Sequence, residues 1–110
     1  MLDLYTLDRD GNPVRCADWV TWATTKFRLA HTPVGTGYVS TIFLGREPGR
    51  HHADPPLLFE TMAIGIDGLD LEERYATRAE ALDGHARAVA VARQAIVAMA
   101  GPDTPPQPAA

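Results

Sequence analysis

Apolar and polar residues alternate at the start of the chain: Leu2, Leu4 and Thr6 share one side, and Asp3, Tyr5 and Leu7 the other. A period of two predicts a strand. Asp10-Gly11-Asn12-Pro13 closes it, since Gly and Asn tolerate positive φ and Pro13 breaks continuation, so residues 14–16 read as a short hairpin return. The period then lengthens. Trp19, Trp22, Ala23 and Lys26 fall at i, i+3, i+4 and i+7 behind Asp18, which predicts a helix weakened by Thr21, Thr24 and Thr25. Residues 27–34 mix signals, and Pro33 argues against a central strand.

Gly35-Thr36-Gly37 reads as a hairpin turn before the clearest strand, residues 38–44 (YVSTIFL), which is rich in β-branched and aromatic residues. Residues 46–56 read as a loop. Residues 57–64 (LLFETMAI) form a second strong strand, Asp67-Gly68 marks a turn, and residues 73–76 suit a short last strand. Thr77-Arg78-Ala79-Glu80 then matches a capping box. Leu82, His85, Val89, Ala92, Ile96 and Met99 recur at three- and four-residue steps, and Gly101-Pro102 supplies a stop. A helix over residues 78–100 would span roughly 33 Å at 1.5 Å per residue.

The pattern therefore predicts an α+β domain over residues 1–100. It comprises an antiparallel sheet of three to five strands, a short helix in the N-terminal half and a long amphipathic C-terminal helix. A Pro-rich tail, residues 101–110, is expected to be disordered. Neither central strand has a clean polar side: Val39, Thr41 and Phe43 oppose Ser40, Ile42 and Leu44, and Phe59, Thr61 and Ala63 oppose Glu60, Met62 and Ile64. Both sheet faces should then be covered to some degree, one by the long helix and the other by the Trp19/Trp22 helix or by a second copy of the chain. A homodimer is the corresponding expectation, with Trp19 and Trp22 as candidate interface residues.

Composition narrows the function classes. With 45% hydrophobic and 22% charged residues in 110, the chain is an ordinary globular one. The net charge of −4 disfavours a phosphate-tracking nucleic-acid binder. A lone cysteine, Cys16, rules out an intramolecular disulfide or a multi-Cys zinc site. The acidic, alternating N-terminus does not resemble a signal peptide, and no apolar run reaches the ~18 residues of a membrane span. A cytoplasmic protein of the host cell is expected, without membrane association.

Few residues carry candidate chemistry. His51, His52 and Asp54 lie in one loop, but adjacent loop residues diverge and no helical His pair pre-organises a metal site, so no metal or cofactor is assigned. His85 interrupts the apolar stripe of the long helix, and Glu60 interrupts an apolar strand. Were the helix to cross that strand, the two could form a charge-assisted pair, either structural or suited to acid–base work with Thr61 or Tyr75. Ser40, Thr41 and Thr61 add strand hydroxyls, with no nucleophile elbow or phosphate loop around them.

The stretches YTLDRDGNPV, VSTIFLG, PLLFETM and RYAT, followed by Glu80-Ala81 and Gly84-His85, resemble a group of small bacteriophage and prophage proteins, mostly actinobacterial. The likeness runs over residues 4–90 and implies a mobile-element origin, with no activity attached. The loop after Gly45 departs from that pattern, reading Arg-Glu-Pro-Gly-Arg-His-His where an Asp-His pair is expected. The strand-to-helix junction at Tyr75-Ala76-Thr77 also looks like that of HicB-type antitoxins. The leading expectation is a non-enzymatic phage or prophage accessory protein acting on a host or phage protein or on itself. A small enzyme or ligand-binding protein built on Glu60 and His85 is the alternative, and a nucleic-acid-binding or antitoxin-like module is third.

Overall fold

The computed structural model describes residues 3–24, 27–46 and 54–100. Among the described residues the fold is α+β, with two sheets and two helices. The strands β1 (Leu4–Leu7) and β2 (Pro13–Cys16) form a separate antiparallel hairpin. Its loop is pinned by the Asp8 carboxylate, which accepts the backbone N–H groups of Asp10 and Asn12 at 2.9 and 2.8 Å. The helix α1 (Trp19–Thr24) is capped by Asp18, whose carboxylate accepts the Val20 N–H at 3.1 Å and the Thr21 hydroxyl at 2.7 Å.

A four-stranded antiparallel meander follows, in the order β3 (Arg28–Val34), β4 (Gly37–Phe43), β5 (Phe59–Ile64) and β6 (Glu72–Tyr75). Residues 28–34, ambiguous as sequence, form an edge strand, the position in a sheet where Pro33 is tolerated. Gly35 and Thr36 make the two-residue turn between β3 and β4, and Gly35 at φ 58° supplies the positive first position that a type II′ hairpin requires.

The long helix α2 (Arg78–Ala100) lies across one face of this sheet and touches all four strands. Its start keeps the Thr77 cap, with the Glu80 N–H donating to the Thr77 hydroxyl at 3.1 Å. The Glu80 carboxylate accepts the Thr77 hydroxyl proton at 2.9 Å, a variation on the reciprocal backbone bond of a capping box. The buried stripe differs in part from the expected one. His85, Val89 and Ala92 are buried as expected, Ala81 and Ala88 join them, and Met99 is 65% exposed. Small alanines let the helix approach the sheet closely, which is why the seam runs through residues that read as helix-favouring filler. The Gly101-Pro102 stop and the tail lie outside the described residues.

Two apolar clusters sit beneath α2. One gathers Val34, Val39, Ile66, Ala88, Val89 and Ala92, and the other gathers Phe43, Leu58, Phe59 and Ala81. The N-terminal hairpin docks through Tyr5 and Leu7 onto the second cluster, and the Tyr5 N–H donates to the Gly45 carbonyl at 2.8 Å. The helix α1 touches β1 and β2 and does not cover the meander's other face. Of the two covers expected for that face, the Trp19/Trp22 helix is therefore not the one used.

Candidate functional site

His85 projects from α2 into the gap between the two apolar clusters and is buried, at 8% exposure. Both ring nitrogens are satisfied by hydroxyls: Nδ1 lies 2.8 Å from Thr41 Oγ1 and Nε2 lies 2.8 Å from Thr32 Oγ1. Thr41 Oγ1 is also 2.6 Å from Thr61 Oγ1, directly across the β4–β5 pair. One arrangement of protons serves the whole chain: Thr61 donates to Thr41, Thr41 donates to Nδ1, and Nε2–H donates to Thr32. Burial pushes the imidazole pKa below its ordinary value, and His31 acts in the same direction, so the ring is held neutral.

A β-bulge makes this possible. Arg28 pairs with Ile42 and Ala30 with Thr41, leaving Leu29 as an extra residue in β3. The inserted residue shifts the alternation, so that Thr32 faces α2 and His31 faces away against Tyr38, with ring centroids 4.7 Å apart. Without the bulge, period two would put His31 inward in place of Thr32.

Glu60 and His85 do not meet, and the pair expected between them is not formed. Glu60 lies opposite Ile42, on the face away from α2, and binds Arg74 at 3.1 Å. Arg74 also holds Glu72 at 2.6 Å. Burial raises the Glu60 pKa, outweighing the Arg74 partner, and the Glu72 carboxylate adds to the rise. Thr61 does join His85, through Thr41. Tyr75 sits elsewhere: its ring packs against Gly84 and its hydroxyl donates to Glu73. Burial and then the Glu73 carboxylate raise its pKa. Thr41 enters the sequence reading only as a strand hydroxyl, and Thr32 is the member of the network that the sequence does not single out.

Trp19 is 66% exposed on α1, whereas Trp22 is half-buried, its indole against Gly45 and beneath the Arg46 guanidinium. The expected Trp pair thus divides into one exposed residue and one packed residue. His51 and His52 lie outside the described residues, and among the described residues no group of three His, Cys, Asp or Glu side chains could hold a metal. Nor is any helix among them long and apolar enough to cross a membrane.

The face away from α2 can be mapped row by row from the strand register. Pro33, Tyr38 and Ile64 form one row, and His31, Ser40, Met62 and Glu72 the next; Arg28, Ile42, Glu60 and Arg74 form the third. No helix among the described residues packs on it. Chemically, the two faces divide cleanly. The inner polar network is buried at Thr41, Thr61 and His85 and partly buried at Thr32, while the outer face offers an apolar centre with a charged edge. No family model, curated protein or solved structure matches the chain.

Proposed function

We propose that the protein is a non-enzymatic binding module of phage or prophage origin that acts through the open face of its meander, pairing first with a second copy of itself. The observation that carries this reading is that Tyr38, Ile42, Met62 and Ile64 form an apolar centre on a sheet face uncovered by either helix. The sequence resemblance over residues 4–90 supplies the biological setting. The buried His85 network supports the non-enzymatic half, since its hydroxyls bond each other and both ring nitrogens.

Geometry limits the strength of pairing. Four strands ~4.8 Å apart and six residues long at ~3.4 Å each offer roughly 400 Å², about half the ~800 Å² per partner of a stable interface. A weak, concentration-dependent dimer is expected. Sedimentation velocity from about 10 μM to about 1 mM should show the mass rising from 11.9 kDa towards twice that value. Met62→Lys with Ile64→Lys should hold it at the monomer. A wild-type chain that stays monomeric over the whole range overturns self-pairing.

A further inference from the structure

At the end of the meander next to α1, a cleft of about 400 Å³ is lined by Trp22, Phe27, Ile42, Phe43 and Leu44, with Arg28 and Arg46 at its rim. Its size falls in the range of ~300–1,000 Å³ typical of small-molecule sites, and its wall is of the usual kind, mostly apolar with a few placed polar groups. We propose that this cleft binds a small planar aromatic anion, with the ring in the aromatic trough and the acid group on Arg28 and Arg46.

The two arginines reach the rim by different routes. Arg28 is placed there by the register of β3, opposite Ile42 on the outward face and just before the bulge. Arg46 follows the β4 strand and lies over the Trp22 ring, 5.9 Å from its centroid. A guanidinium held over an indole face at cation–π distance can turn its N–H edge to the cleft, which suits bidentate capture of an acid group. Among the described residues neither arginine forms an ion pair, whereas Arg15 and Arg74 each hold carboxylates. In a chain with net charge −4, two such cations beside one apolar trough concentrate positive potential where an anion would enter. The trough suits a flat partner: exposed Phe27 and half-buried Trp22 are its accessible aromatic walls, and Phe43, its centroid 6.1 Å from that of Phe27 with 35° between the planes, is the buried floor. An aromatic ring gains from both stacking and burial there, whereas an inorganic anion would leave the apolar wall uncovered.

The test is a pair of NMR titrations of the full chain with 2-naphthoate and its neutral isostere 2-naphthamide. The Trp22 indole N–H, assigned by comparison with Trp19→Phe, is the reporter. Saturable shifts at Trp22, Phe27 and Ile42 are expected with naphthoate, with affinity at least tenfold above that for naphthamide. Arg28→Gln and Arg46→Gln should each weaken naphthoate about tenfold, the loss of one charge-assisted hydrogen bond at the lower end of its range. Both arginines are exposed, so circular dichroism of the variants should match the wild type. Equal affinity for acid and amide, indifference to both substitutions, or no saturable shift at Trp22 up to about 10 mM overturns the proposal. Ile42 borders both sites, but the oligomer measurement turns on Met62 and Ile64, which lie off the cleft, so failure here leaves it untouched.

Discussion

Thr41→Val tests the buried network at its centre. Valine matches threonine in shape, so the substitution removes one hydroxyl without opening a cavity. Two groups then lose their partner, His85 Nδ1 and Thr61 Oγ1. Thr41 and Thr61 are fully buried and His85 nearly so, so water does not replace the missing bonds. At about 1–3 kcal/mol per orphaned group, the expected loss for the two is about 2–6 kcal/mol. That is a large share of the ~5–15 kcal/mol of a domain this size. Replacing every member together, as Thr32→Val, Thr41→Val, Thr61→Val and His85→Leu, should recover most of the loss, since no polar group is left waiting. Urea unfolding followed by tryptophan fluorescence measures both variants. The same experiment against pH isolates His85. Its folded pKa lies below its unfolded value near 6.5, so the unfolded chain binds the proton first as pH falls. The stability contribution is complete above pH 6.5 and declines as pH drops below it, until the folded pKa is reached, with a slope of at most about 1.4 kcal/mol per pH unit. His85→Leu should remove that slope. A Thr41→Val loss under about 0.5 kcal/mol, or a slope that survives His85→Leu, would falsify the account of a desolvated, hydroxyl-clamped imidazole.

Two further outcomes follow from the packing. In the Tyr75→Ala background, Gly84→Ala should stabilise the protein by up to about 1 kcal/mol, the helix-propensity gain. In the wild type the same change should destabilise it, because the new methyl would occupy the space of the Tyr75 ring. A thermal-melt cycle reads the reversal of sign, and like signs would sink the argument. Glu60→Gln should leave stability at pH 7 unchanged or improved despite losing the carboxylate that binds Arg74, since burial disfavours the ionised form more than Arg74 favours it. The contribution of the Glu60 carboxyl is present below about pH 4.5 and is lost as pH rises to its raised folded pKa, so the gain from Gln should shrink in acid; a clear loss at pH 7 refutes this.

The strands at residues 4–7, 37–43 and 59–64 are legible in the sequence because each alternates or is β-rich between glycine and proline punctuation. The long helix is equally legible from its cap and period. The alternation also separates Glu60 from Thr61, so any site containing His85 had to choose between them. It does not say which face receives the helix. That choice depends on where Ala81, Ala88 and Ala92 permit close approach, a property of side-chain volume and not of hydropathy. Thr32 was the least legible member of the network. Its orientation depends on the unpaired Leu29, and a bulge in an edge strand containing proline leaves no periodic trace. The cleft is invisible to pattern reading for a different reason, since its walls come from α1, Phe27 ahead of β3, β3 itself, β4 and the residues after it.

The meander order has a consequence for how the chain acquires its structure. Each strand of the sheet pairs with its neighbour in sequence, so β3 to β6 can assemble by successive local closures as they leave the ribosome. The element that shields Val39, Thr41, Phe59 and Thr61 comes last, and the Thr32–His85 bond joins residues 53 positions apart. Until α2 is synthesised, the nascent sheet presents two greasy surfaces instead of one, and it would be in that interval that a chaperone or a neighbouring nascent chain meets it.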